Sequence, residues 1–185
     1  MKRLWGIPLI LMLFTGCVRE NEPLDRAMAL RADLLSHDCA FRTEITADYG
    51  EEIYTFHVRC EGDTKGNVGF EVLSPESIAG VQGVTSNSTG KLTFSDVVLD
   101  FPLLADGQVT PVSAPYLLMK TLRGGYVRSA GQDGDMVRVT IDDSYEENAL
   151  QLDIWLNEEN LPVRGEIVYD GRRILTMIVS DFQIL

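Results

Sequence analysis

Hydrophobic and polar positions alternate with a period of two over most of this chain, which predicts β-strands. The alternation begins at Cys39 and continues to the C-terminus between turn-rich connectors, one of which, Asp170 and Gly171, predicts a two-residue hairpin loop. Two segments depart from this period and predict helices, one over Pro23–Ser36 and a shorter one over Tyr116–Leu122. The order helix, strands, helix, strands predicts an α+β domain in which the helices cover one face of a single antiparallel sheet.

The N-terminus has a different pattern. Lys2 and Arg3 precede an apolar stretch of 11 residues, Leu4–Phe14, and Gly16 and Cys17 follow it. A membrane-spanning helix needs roughly 20 residues, so a positive start before a short apolar stretch predicts a cleaved export signal.

The segment ending at Cys17 looks like the lipobox of bacterial lipoproteins, in which the cysteine is acylated and becomes the new N-terminus. This resemblance implies a signal peptide over residues 1–16, a diacylglyceryl group on Cys17, a lipidated tether over 17–22 and one domain over 23–185. The protein is then expected to be anchored on the extracytoplasmic face of the cell membrane. An ordinary cleaved signal followed by a coincidental cysteine is the alternative.

The remaining cysteines, Cys39 and Cys60, lie on consecutive predicted strands. A two-residue loop at Tyr49 and Gly50 places them opposite each other in a non-hydrogen-bonded pair, where Cα atoms are about 4.5 Å apart. Because that separation suits a disulfide and exported proteins retain disulfides, we predict a Cys39–Cys60 bond that contributes about 3 kcal/mol. Two free thiols in the core are the alternative.

Charge restricts the partners. The formal net charge is −12 for 185 residues, and it becomes −14 once the signal with Lys2 and Arg3 is removed. Such a chain repels nucleic acid and anionic membrane surfaces, so we expect no nucleic-acid partner. Attachment to the membrane then depends on the acyl chains of the modified cysteine.

Catalytic and metal-binding motifs are missing from the sequence. Neither G-x-S-x-G nor H-E-x-x-H occurs, so we predict no catalytic residue, no cofactor and no enzymatic activity. Several carboxylates surround one predicted turn but lack the spacing and the glycine of a calcium loop, which favours a solvated hairpin tip over a metal site. These residues are Asp142, Asp143, Glu146, Glu147 and Asp153.

The element order, together with the segments 101–107, 123–126 and 141–145, resembles the LolA/LolB-like superfamily and in particular its Gram-positive, clostridial branch, which includes the germination lipoprotein GerS. The resemblance covers residues 24–185. It implies a strongly curved, open antiparallel sheet, a half-barrel, that wraps around the N-terminal helix and the short central helix. In the carriers of this superfamily a basic residue on the sheet engages helix backbone, and the sequence singles out no arginine for that role.

Two functions are compatible with such a half-barrel. If the helices fit loosely, the inward side chains line an apolar pocket for a lipid or a lipoprotein acyl chain. If the helices fill the sheet, the same side chains form only a core, and the alternative is an accessory protein that docks to an envelope or spore partner such as a cell-wall enzyme. The candidate lining residues are Phe41, Ile45, Tyr54, Phe56, Val58, Phe70, Val72, Leu118, Leu122, Leu152 and Ile154.

Overall fold

A computed structural model describes residues 21–48, 50–86, 89–94, 97–102, 104–105, 108–146 and 149–185. The predicted signal peptide and Cys17, together with Tyr49 and Glu147, lie outside the described residues.

Two α-helices and thirteen strands follow one another in the predicted order. The helices are α1 (Glu22–Ser36) and α2 (Ala114–Gly124), with short 3-10 turns at Glu76–Ile78 and Pro111–Ser113. The strands of the first half are β1 (Cys39–Asp48), β2 (Ile53–Gly62), β3 (Val68–Ser74), β4 (Gln82–Ser86), β5 (Thr89–Phe94), β6 (Val97–Pro102), β7 (Leu104–Ala105) and β8 (Gln108–Val109). Those of the second half are β9 (Tyr126–Asp133), β10 (Met136–Asp142), β11 (Gln151–Leu156), β12 (Pro162–Tyr169) and β13 (Arg172–Ile184).

Eleven strands form one antiparallel sheet in the order β6-β5-β4-β3-β2-β1-β13-β12-β11-β10-β9, and β7 pairs with β8 separately. Each half of the sheet is a meander of neighbouring hairpins, and the pairing of β1 with β13 joins the two halves. The sheet is open, with β6 and β9 as its edges, and its inner face buries both helices. The predicted α+β half-barrel is therefore the fold of this chain.

The hairpin between β12 and β13 has the predicted loop. Asp170 and Gly171 have φ values of 49° and 71°, the left-handed backbone that a two-residue type I′ turn requires. Tyr169 and Arg172 are register partners on either side of it.

The hairpin between β1 and β2 has a different loop from the predicted one. Asp48 pairs with Ile53, so four residues connect the strands instead of two. Gly50 has a φ of 92°, and its N–H donates to Asp48 Oδ1 at 2.8 Å, which fixes the turn locally. The register is therefore two residues away from the prediction, and Cys60 lies opposite Phe41.

Helix α1 begins at Glu22, one residue earlier than predicted and inside the expected tether, with proline in its first turn. It buries Leu30 and Leu34 and packs on α2, β9 and β10. None of the helices in the described part of the chain is long and apolar enough to cross a membrane.

Candidate functional site

The predicted lining residues share the inner face of the sheet and the facing side of α2. Tyr54 is 44% exposed near the β1–β2 hairpin and Phe56 is half-buried, so these two lie at the margin of the core. The other nine are buried: Phe41, Ile45, Val58, Phe70, Val72, Leu118, Leu122, Leu152 and Ile154.

Helix α2 occupies the space inside the half-barrel. Eight of its residues are buried. A Cβ at Gly165 on β12 would stand 3.0 Å from Met177 Cε and 3.6 Å from Leu118 Cδ1. A Cβ at Gly62 on β2 would stand 3.0 Å from Cys39 Sγ and 3.6 Å from Met119 Cε. Glycine at these two strand positions therefore avoids crowding between strand side chains of the inner face, and α2 packs beside them at ordinary van der Waals distance.

Among the described residues, a cavity of about 10 Å³ remains between α2 and the sheet, lined in part by Leu117, Thr121 and Leu152. That is about the room needed by one water molecule, whereas pockets for small organic ligands are roughly 300–1,000 Å³. In this conformation the predicted lining residues form a packed core.

Two arginines tie the C-terminal ends of the helices to each other. Arg31 of α1 donates from Nε to the carbonyl of Leu122 at 2.7 Å and from Nη2 to that of Gly125 at 2.8 Å. In return Arg123 of α2 donates from Nε to the carbonyl of Leu34 at 2.9 Å. Carbonyls at a helix C-terminus lack partners within the helix and carry partial negative charge, so each guanidinium satisfies and stabilises the other helix. Burial lowers the pKa of Arg31.

The two described cysteines are buried free thiols, so the predicted disulfide was wrong. In the observed register Cys39 lies opposite Gly62 and Cys60 opposite Phe41, which makes the cysteines diagonal neighbours. Diagonal Cα atoms are roughly 7–8 Å apart, beyond the usual range for a disulfide. Burial raises the pKa of Cys39, a rise that the nearby Arg123 partly offsets, and burial raises the pKa of Cys60 well above its usual range.

The outer face of β10, β11 and β12 carries a cluster of charged side chains around one tryptophan. The Trp155 indole is only 7% exposed, because the guanidiniums of Arg138 and Arg164 lie 5.1 Å and 4.7 Å from its ring centroid. Its Nε1–H donates to Asp133 Oδ2 at 2.7 Å. Asp153 is buried beside it, accepts from Arg138 at 2.7 Å, and raises the pKa of that arginine through this hydrogen bond.

The outer face of β2–β6 carries an open groove of about 570 Å³. Gly69 of β3 lines the groove with its backbone alone. Arg59 Nη1 and Glu71 Oε2, which also line the groove, form an ion pair at 3.0 Å. Val84 of β4, 50% exposed, and Val98 of β6 line it toward the edge of the sheet. The groove was not predicted from the sequence, although Arg59 and Glu71 occupy polar positions of the same alternation that identified the core.

Several other titratable side chains each lie beside one charged neighbour. His57 lies on the outer face, 3.6 Å from Glu44. Of the carboxylates near residue 142, Asp142 pairs with Arg128 at 2.8 Å and Asp143 with Lys120 at 3.7 Å. Among the described residues no group of three or more His, Cys, Asp or Glu side chains is arranged to hold a metal ion.

The carboxylate predicted to belong to the same solvated tip as these residues, Asp153, is instead buried within the sheet. Its other partner is Thr140, whose hydroxyl donates to Asp153 Oδ1 at 2.6 Å. A buried carboxylate with hydrogen-bond donors on both oxygens is a structural group of the outer face.

Solved structures of similar architecture come from several bacteria. An uncharacterised conserved protein from Thermus thermophilus shares 13% identity over 89% of this chain and 86% of its own, with a TM-score of 0.48. A putative outer membrane lipoprotein-sorting protein domain from Vibrio parahaemolyticus shares 10% identity over 88% of this chain and 92% of its own, with a TM-score of 0.48. A LolA superfamily protein from Nitrosomonas europaea shares 6% identity over 86% of this chain and 93% of its own, with a TM-score of 0.41.

No protein-family model and no curated protein matches the sequence. The predicted architecture, one open antiparallel sheet with two helices, is present as described above, and the clostridial branch stays a prediction. At such low identities these similarities concern the fold alone, and no residue role, ligand or partner is transferred from them.

Proposed function

We propose that this chain is a lipid-anchored, extracytoplasmic, non-enzymatic protein that binds a protein partner of the cell envelope through the outer face of its sheet. The observation that carries the proposal is the contrast between the two faces. Among the described residues the cavity beneath α2 is about 10 Å³, whereas the outer face of β2–β6 carries an open groove of about 570 Å³.

The proposed location rests on the N-terminal sequence. The positive start, the short apolar stretch and the cysteine after Gly16 support cleavage and acylation at Cys17. Because α1 begins at Glu22, only a few residues separate the acylated cysteine from the domain, which is then held close to the membrane.

The groove has features of a protein-binding surface. It combines exposed aliphatic side chains at Val84 and Val98 with charged side chains of both signs, among them Arg59, Glu71 and Lys91. Apolar contacts surrounded by polar ones are typical of protein interfaces. Buried core side chains lie behind β2 and β3 at one end of the groove, and such a packed support lowers the entropy lost on binding.

A bound acyl chain is the second candidate function, and one observation favours it. Leu99 of β6 faces the inner side of the sheet beyond the reach of α2 and is 59% exposed, and its cross-strand partner Leu92 is half-buried. An acyl chain lying over these two leucines would extend the core toward the edge of the sheet.

In-cell photo-crosslinking tests the proposal. A benzoylphenylalanine placed at Val84 in the groove should give a discrete protein adduct. The same group at Ile178, an aliphatic residue of the outer face of β13 with nearly equal exposure (48% against 50%), should not. Equal labelling from both positions, or none from either, would contradict a partner-binding groove.

Titration with a fluorescent long-chain fatty acid decides between the two candidates. We expect no saturable binding to the purified mature chain, because the cavity beneath α2 is too small. Saturable binding that Leu99→Lys abolishes would support the acyl-chain function and refute the proposed one.

A further inference from the structure

The two edges of the sheet differ in how they are covered. Helix α1 packs against β9, and its Arg31 donates to the carbonyl of Gly125 just before that strand. Strand β6 pairs only with β5, and within the described part of the chain no strand or helix pairs with its other side. An uncovered edge presents a row of unpaired backbone donors and acceptors.

The register shows which backbone groups point outward. Phe94 and Val97 are register partners with two residues between them, and the strand pair that flanks a two-residue connection is a hydrogen-bonded one. Since the direction alternates along a strand, the N–H and C=O groups of Val98 and Asp100 point away from β5. Pro102 falls in the same series, and an edge strand accepts proline where its nitrogen faces solvent.

The side chains of this edge favour an added strand. Val98 is 60% exposed on the outer face and Leu99 is 59% exposed on the inner face, so a strand laid beside β6 gains apolar contacts on both of its faces. Asp100 is exposed beside Val98, and among the described residues its carboxylate forms no ion pair.

We propose that the partner docks by strand addition: an extended, basic segment of the partner protein pairs with the outer edge of β6. Its backbone bonds to the outward groups of Val98 and Asp100, and a lysine or arginine lies opposite Asp100. Its outward side chains continue over Val98 into the groove of β2–β6. The inference rests on the proposed function and specifies how that partner binds.

Charge selects this occupant over a second copy of the chain. Two copies of the mature chain would each bring a formal net charge of −14, since removal of Lys2 and Arg3 takes two positive charges from −12, and they would repel each other. A basic segment is attracted by the same charge, and opposite charges directly across two strands stabilise their pairing.

A labelled peptide of alternating valine and lysine serves as the probe, with fluorescence anisotropy measured on the full mature chain in neutral detergent. Val98→Pro removes one outward N–H without breaking the ladder to β5, and Val98→Ile is the matched control that keeps the β-branched apolar side chain and the N–H. We expect Val98→Pro to weaken binding roughly five-fold or more and Val98→Ile to change it little. Asp100→Asn should weaken binding roughly two- to five-fold and reduce its salt dependence.

Further variants guard against misfolding and non-specific attraction. Leu99→Lys keeps the whole ladder and adds a charge that discourages edge pairing, so it should also lower affinity if Val98→Pro proves unfolded by circular dichroism. A valine–glutamate peptide and an N-methylated valine–lysine peptide should both bind at least ten-fold more weakly than the original peptide.

The outcomes separate this inference from the proposed function. Unchanged peptide binding by Val98→Pro and Leu99→Lys, or equal binding of the N-methylated peptide, overturns strand addition. If the Val84 photo-adduct nevertheless persists in Val98→Pro, the partner-binding function stands and only its mode is wrong. A concentration-dependent dimer that Val98→Pro dissociates shows that the edge serves a second copy instead.

Discussion

Replacing Leu118 by alanine tests whether α2 fills the half-barrel. Leu118 is fully buried at the centre of α2, against the backbone of β12 at Gly165. Met177 and Leu152 pack at the same place, but the strand backbone on this side cannot move into the space that the lost methyl groups leave, so most of the cavity remains. Leu→Ala changes in tight cores cost about 2.7–5.0 kcal/mol, and this rigid site should cost about 3–4 kcal/mol on the same scale.

Urea unfolding followed by tryptophan fluorescence measures this cost. Of the two tryptophans, Trp5 lies in the predicted signal peptide, so Trp155 is the reporter in the mature chain. The melting temperature should fall by about 6–16 °C, since 1 kcal/mol corresponds to roughly 2–4 °C in a domain of this size. Leu35→Ala, at an exposed position of α1, is the control and should stay within about 0.5 kcal/mol of wild type.

A loss of less than about 1 kcal/mol for Leu118→Ala would refute the reasoning, because a tightly packed leucine cannot be truncated at so small a cost. It would mean that α2 sits loosely in the sheet. The acyl-chain function would then gain over the proposed one.

Three further predictions concern polar groups. Arg31→Gln should lower the free energy of unfolding by roughly 2–4 kcal/mol by removing two charged hydrogen bonds between the helices; thermal melts at wild-type values would show that the contact is unimportant. Asp153→Asn should lower it by roughly 1–2 kcal/mol and alter the fluorescence of the neighbouring indole, and an unaltered spectrum would contradict the described cluster. Because burial raises the pKa of both Cys39 and Cys60 in the folded state, the free energy of unfolding should fall as pH rises above about 8.5. Replacing both cysteines by alanine should flatten that dependence, and both thiols of the native protein should react with a thiol reagent only slowly at neutral pH.

The hydrophobic period identified the elements but could not fix every register. The prediction placed Cys39 opposite Cys60, and the observed hairpin places Phe41 there. Both arrangements bring the same apolar faces together, because a shift of two residues leaves every side chain on its side of the sheet. Only the loop distinguishes them, and the contact between Gly50 and Asp48 that sets the loop is a local detail that the alternation does not encode.

The outer-face features escaped prediction for a different reason. Trp155 occupies a polar position of β11 and is buried there because arginines of β10 and β12 lie over it. Such contacts depend on which strands are neighbours, and the sequence alone does not state that. The bonds from Arg31 to α2 join residues more than 90 positions apart and likewise have no local signature.

The pairing of the first strand with the last has a consequence for how the protein matures. Cys39 at the start of β1 is the register partner of Ile184 in β13, so the seam between the two meanders closes only after almost the entire polypeptide is present. Each meander consists of nearest-neighbour hairpins that form quickly, whereas a pairing between such distant segments is slow because a long loop must close first. A growing chain therefore cannot close its sheet until its final strand arrives.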